Sequence, residues 1–323
     1  MRQRNNRLLP AILTTLACTA TALYAQLEST GTVIRADVRL VVLHTTVVDK
    51  TGHLVMDLNQ KAFTVYENGV AQEIRHFKRE DVPVSMGLIV DNSGSMREKR
   101  ARVEAAALAL VKDSNPEDEV FIVNFNDDAY IDNPHGKDFL TSIEEMQEAL
   151  TRIDSRGGTA MRDAVDKSID WMKKAHKDKK VLVIVTDGVD NASSVSLEDL
   201  VRDARRSEVL IYPIGLLTDE EKRAASSAKR QLNALAEATG GTPFYPKELS
   251  EVDKIAHQVA HDIRNQYTLG YKPTNEALDG SFRKIKVTVK APGNPTPRTR
   301  TGYYAGDKET ASATPLTKGN KDK

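Results

Sequence analysis

Met86-Gly87-Leu88-Ile89-Val90-Asp91-Asn92-Ser93-Gly94-Ser95-Met96 decides the reading of this chain. Its first five residues form an unbroken apolar run, as in a strand buried on both faces of a parallel sheet. The run stops at Asp91, and the spacing DxSxS follows before a helical pattern begins. An aspartate and two hydroxyls at that spacing can point into one concave loop at the carboxyl end of a strand, where open α/β sheets place their ligands. Hard oxygen donors gathered there suit Mg²⁺ or a similar cation.

From Pro83 to Arg264 strand and helix patterns alternate, as a parallel sheet with crossover helices requires. The expected strands are Ser85 to Val90, Val120 to Phe125, Val181 to Thr186, Leu210 to Ile214 and a short Phe244-Tyr245. The helices between them carry apolar stripes: Val103, Ala107, Leu110 and Val111 after Ser95, and Val252, Ile255, Val259 and Ile263 in the last. Upstream, Val33 to Phe77 reads as hairpin-rich β material, with turns at Asp49-Lys50-Thr51-Gly52 and Asn68-Gly69. So few strands need partners from elsewhere, and Gln266 to Tyr271 with Phe282 to Val289 are the candidates. The expected fold is therefore α/β: a Rossmann-like, doubly wound domain at 81–265 inserted between the halves of a β-sandwich, 26–80 and 266–305.

The first 25 residues carry Arg2, Arg4 and Arg7 and then an apolar run, which reads as a secretory signal peptide. Cleavage after Ala22 or Ala25 fits, and either removes Cys18, the one cysteine. The mature chain would then be thiol-free, with 43 basic against 46 acidic residues, and no transmembrane segment is read in it. Leu16-Ala17-Cys18 also resembles a lipoprotein cleavage box, so lipid anchoring at Cys18 is the minority reading. Residues 306–323 are polar and read as a disordered tail. A balanced charge argues against nucleic acid as a partner.

Two further pieces extend the opening motif. Gly157-Gly158-Thr159 precedes a helical run, and Thr186-Asp187-Gly188 ends an apolar strand. Asp91, Ser93, Ser95, Thr159 and Asp187 then supply five oxygen-bearing side chains on loops at one edge of the sheet, enough for an octahedral ion completed by water. Gly157-Gly158 would let a loop pass close to the ion, and Gly188 would permit a turn with positive φ. Each piece alone has a blander reading as a helix cap or a turn. Mg²⁺ is the first choice of ion, with Mn²⁺ and Ca²⁺ as alternatives.

On these residues the central segment resembles the von Willebrand factor A domain family, whose metal-ion-dependent adhesion site combines DxSxS with a distant Thr and a later Asp. The flanking motifs, Asp49 to Gly52, Phe63 to Gly69 and Tyr267 to Tyr271, are similar to those of the secreted von Willebrand A-related proteins of the Acidobacterial type. The resemblance implies a binding module whose ion is left partly open, so that an Asp or Glu carboxylate of a protein partner completes its shell. Adhesion or envelope assembly by an exported protein, periplasmic or extracellular, is the expected function. A structural or chaperone-like subunit with a merely stabilising metal is the first alternative, and a metal-dependent hydrolase the second.

Other constellations carry less. His257 and His261 have a zinc spacing, but Gln258 stands where a metalloprotease has its glutamate. The nucleophile elbow GxSxG, a P-loop and GxGxxG are all missing, so no enzyme is expected. Asp127, Asp128 and Asp132 read as a solvated loop before a second cation site, and the lysines from Lys173 to Lys180 as a solvated helix end.

Overall fold

The computed structural model describes residues 40–306 apart from 80, 113–114, 135, 153–154 and 218–221. The expected signal peptide, Cys18, the strand pattern before Leu40 and the tail beyond Gly306 lie outside the described residues. In chain order the strands are β1 (Val41–Val48), β2 (Phe63–Glu67), β3 (Val70–Gln72), β4 (Ile74–Lys78), β5 (Val84–Asp91), β6 (Glu119–Phe125), β7 (Ala129–Ile131), β8 (Lys179–Thr186), β9 (Leu210–Gly215), β10 (Tyr267–Tyr271), β11 (Phe282–Val289), β12 (Thr296–Arg298) and β13 (Gly302–Tyr304). The described helices are α1 (Arg100–Lys112), α2 (Ile143–Thr151), α3 (Met161–Trp171), α4 (Leu197–Arg206), α5 (Lys222–Thr239) and α6 (Val252–Arg264).

A five-stranded sheet of order β7-β6-β5-β8-β9 forms the centre of a Rossmann-like α/β arrangement. Strand β5 pairs in parallel with β6 on one side and β8 on the other, and β9 continues in parallel from β8. Every residue of β5 and of β6 is buried because helices cover both faces. On one face Met86, Leu88 and Val90 pack with Val103 and Leu110 of α1 and Val259 and Ile263 of α6. On the other, Ile89, Phe121 and Leu182 pack with Val165 of α3, Leu200 of α4 and Leu235 of α5. Gly87 belongs to this second layer, where a Cβ would lie 2.5 Å from both Phe121 and Leu182, so the two large neighbours fill the place its side chain would take.

The remaining strands form two antiparallel sheets, β12-β1-β10-β4 and β13-β11-β2-β3. Each joins the two ends of the chain: Val41 pairs with Tyr271 across β1 and β10, and Val65 with Val287 across β2 and β11. Leu43, Val65, Tyr267, Leu269, Tyr271 and Ile285 share one apolar cluster. Within it the Tyr271 and Tyr303 hydroxyls both donate to Glu67, at 2.7 and 2.8 Å, which satisfies a carboxylate in an otherwise apolar place.

Asp127 and Asp128 are exposed, as expected of a solvated loop, in a tight turn into β7, a three-residue antiparallel edge strand too short to show a period. Asp132 departs from that expectation, being only 8% exposed. Lys173 and Lys174 are exposed at the helix end, whereas Lys179 starts β8 and is only 4% exposed, against the expectation of a solvated run. Among the described residues no helix is long and apolar enough to cross a membrane.

Candidate metal centre

The connection from β5 runs one way along the sheet to β6 and that from β8 the other way to β9, so the carboxyl ends of β5 and β8 flank a topological switch point. Asp91 ends β5, and Asp187 directly follows β8. The loop after Asp91 does not enter an α-helix at Ser95, as its pattern suggests. It makes a 3-10 turn over Gly94–Met96, and α1 starts only at Arg100. Ser93 occupies the cap position of that turn, yet its side chain makes no capping hydrogen bond. The hydroxyl is thus left to the site, which removes the simple helix-cap reading.

Four of the five expected ligands form one hydrogen-bonded chain. The Asp91 Oδ1 accepts from the Ser93 backbone N–H at 2.8 Å, Ser93 Oγ meets Ser95 Oγ at 3.1 Å, and Ser95 Oγ donates to Asp187 Oδ1 at 2.7 Å. The fifth, Thr159, lines the same cleft of about 210 Å³ with Ser95, Asp187 and Gly188. Asp91 and Ser93 lie buried beneath, 1% and 2% exposed. The arrangement is a graded set of oxygen atoms, carboxylates at its two ends and hydroxyls between, and a hard dication fits that chemistry. Among the described residues no group of three or more His, Cys, Asp or Glu offers a rival centre, and His257 and His261 are exposed on α6.

The loops are held together from behind. Gly94 N–H donates to Gly157 O at 3.2 Å and Arg156 N–H to Asn92 O at 2.9 Å, which ties the DxSxS loop to the Thr159 loop. Asn92 donates to Asn124 at 2.8 Å, and Asn124 to buried Asp132 at 2.7 Å. Asp127 accepts from Gly158 N–H at 2.7 Å. A Cβ would come within 2.1 Å of that carboxylate at Gly157 and 2.9 Å at Gly158, so these glycines serve a close approach to Asp127 rather than to the ion position. Gly157 has φ +75°, whereas Gly188 is outside the left-handed region and its contact is with Thr159.

Two participants escape sequence reasoning. Thr186 Oγ1 donates to Asp91 Oδ2 at 2.5 Å, orienting the carboxylate from the neighbouring strand. Burial nevertheless pushes the Asp91 carboxyl up to about 6, with the nearby Asp187 charge adding to it and the bonds from Thr186 and Ser93 opposing. Lys99 places its ammonium on Asp187 Oδ2. With the Asp187 side chain 2% exposed, this ion pair is well shielded and supplies the positive charge an ion would otherwise bring.

A consequence can be measured. Replacing Lys99 by Met removes a cation that repels a dication and competes for Asp187. Lys99→Met should bind Mg²⁺ or Mn²⁺ about tenfold more tightly by calorimetry while being destabilised by about 2 kcal/mol in EDTA. Unchanged affinity would show that Lys99 does not compete.

Residues 86–189 match the model of the von Willebrand factor type A domain. The chain carries a von Willebrand factor type A domain. Within curated sequences it is 32% identical over 104 residues to integrin alpha-11 of Mus musculus, covering 31% of this chain and 8% of that protein. It is 22% identical over 146 residues to inter-alpha-trypsin inhibitor heavy chain H4 of Bos taurus, covering 42% of this chain and 16% of that one. The chain therefore spans less than a fifth of the length of these curated relatives. Proximal thread matrix protein 1 from the mussel byssus, solved with a zinc-occupied MIDAS motif, is 17% identical with a TM-score of 0.49, covering 61% of this chain and 49% of that one. The von Willebrand factor type A match ends just past Asp187, so all five expected ligands fall inside it.

Proposed function

We propose that the protein is an exported binding module that holds a divalent cation, Mg²⁺ in the first instance, through Asp91, Ser93, Ser95, Thr159 and Asp187. Through the ion it would take an acidic side chain of a protein partner, in adhesion or in assembly at the cell envelope. The observation that carries this reading is the hydrogen-bonded run from Asp91 through Ser93 and Ser95 to Asp187, opening with Thr159 into one cleft.

Charge supports an acidic partner. When bound, the ion supplies a positive centre that two carboxylates at most neutralise and that attracts an exogenous carboxylate wherever only one of them binds directly. The protein's own residues set the rest: burial keeps Asp91 and Ser93 dry, Thr186 orients Asp91, and the cleft over Thr159 and Asp187 leaves room for one side chain. Binding is favoured over catalysis because the one carboxylate that accepts from these seryl hydroxyls, Asp187, is held by the Lys99 ammonium, which weakens it as a base.

A pull-down from envelope extract with and without EDTA tests the reading. Partners should be retained with Mg²⁺ and lost in EDTA, and Thr159→Ala should weaken capture several-fold. Partners that stay bound in EDTA would favour a scaffold whose ion only stiffens loops.

A further inference from the structure

A second cavity lies at the opposite end of the central sheet. Pro83 precedes β5, Lys179 begins β8 and Leu210 begins β9, and all three line a cavity of about 460 Å³ that is closed on its other side by β1, β4 and β10. It is separated from Asp91 by the length of β5, on the order of 20 Å. Its volume is in the ordinary range for a small-molecule site, roughly 300–1,000 Å³.

The walls combine aliphatic and cationic groups. Leu40, Val42, Val82, Pro83 and Val209 give apolar surface. Lys78, Lys177, Arg205 and Arg300 bring positive charge, against Asp178 and Glu208, and Lys179 adds an amine that burial pulls down to about 7. Arg300 is accounted for by Glu208 at 3.3 Å and the Val42 carbonyl at 3.0 Å, although its Nε has no partner. Lys179 is balanced less directly. It is 4% exposed, its ammonium donates to the Ile263 carbonyl, and among the described residues no carboxylate is in direct ion-pair contact with it, Asp81 and Asp118 acting on it from farther off.

His44 adds a third polar group to the same wall. Its Nδ1 is shielded from solvent and has no hydrogen-bond partner. Burial, with Lys179 and Arg300 close by, holds the imidazole far below its usual range, at about 3, which reports a positive local field. A buried ammonium with no direct ion pair is costly to maintain. An anion in the cavity would stabilise the charged form of Lys179 and lie in the positive field that His44 reports.

We infer that this cavity binds a small amphipathic anion, a carboxylate on an aliphatic body, with the acid group beside Lys179 and His44 and the chain along Val42, Val82 and Val209. The site is independent of the metal centre and of its proposed role. Decanoate is the probe, with decanol and acetate as the uncharged and chainless controls.

Calorimetry on the full chain in EDTA should give one decanoate per molecule with a dissociation constant of about 0.1 mM or tighter. Decanol and acetate should each bind at least about tenfold more weakly. Lys179→Met keeps the volume and removes the charge, so it should weaken decanoate about 10- to 100-fold. Its melting temperature should equal or exceed that of the parent, because a buried amine that is costly to keep charged is gone. The inference is overturned if decanoate does not bind, if decanol binds as well as decanoate, or if Lys179→Met binds decanoate unchanged. A variant too unstable to test would be replaced by His44→Phe, for which a loss of at least tenfold is expected and unchanged binding overturns the inference.

Discussion

Asp91→Ala should lose divalent-cation binding by more than about 100-fold, with no cation retained at millimolar concentration in an equilibrium dialysis assay with Mn²⁺. Asp91 is one of two carboxylates at the centre and the one whose position is fixed both from its own loop, by Ser93 N–H, and from β8, by Thr186 Oγ1. Its removal leaves hydroxyls, Thr159 and Asp187, and Asp187 already holds Lys99. Retained binding at parental affinity would mean that the ion sits elsewhere.

The same side chain sets a pH dependence whose sign can be worked out. Burial raises its folded-state value from 3.8 to about 6, so between those values the folded protein holds a proton that the unfolded chain has released. Without metal, stability therefore falls as pH rises through that window, by on the order of 3 kcal/mol, and is level above it. Asp91→Asn cannot titrate and keeps an acceptor. In EDTA it should lack this dependence and melt at or above the parent at pH 7. Cation binding runs the other way, because a proton competes with the ion: affinity should be about tenfold weaker at pH 5 than at pH 7.5 by calorimetry. A pH-independent affinity would contradict the assignment of Asp91.

The largest structural effect is expected at Gly241. It follows α5 and lies against β9, where a Cβ would stand 1.9 Å from the Ile211 carbonyl oxygen and 2.7 Å from its carbon. Neither atom can yield, since Ile211 is paired to Leu182 in the ladder and its N–H donates to Thr239 Oγ1 at 3.1 Å. Gly241→Ala must therefore push α5 off the sheet, and α5 residues Ala224, Ala225 and Ala228 line the cleft over the metal centre. A loss of at least about 3 kcal/mol in urea denaturation is expected. A melt within two or three degrees of the parent, on the order of 1 kcal/mol, would show that the contact relaxes freely.

Most of the central domain was readable because its strands are long apolar runs ending in polar residues. Asp91, Ser93, Ser95, Thr159 and Asp187 could be assembled from sequence since each follows a strand or precedes a helix at one edge, and the sheet order brings those edges together. Lys99 was not readable: it sits in Arg97-Glu98-Lys99-Arg100, where nothing in the charges singles out the one that turns inward. Thr186 looked like the last residue of a strand, and its bond to Asp91 depends on the parallel pairing of β5 with β8. Lys179 was hidden by its neighbours. Four other lysines between 173 and 180 suggested a solvated end, while burial follows from its place at the start of a central strand.

One divalent cation should sit among these five side chains. Anomalous diffraction at the manganese edge, from crystals grown with Mn²⁺, tests it most directly. A single strong peak is expected, bounded by Ser93, Ser95, Thr159 and the Asp91 and Asp187 carboxylates, with Lys99 displaced from Asp187. A peak elsewhere, or none at saturating Mn²⁺ with Lys99 still on Asp187, would contradict it.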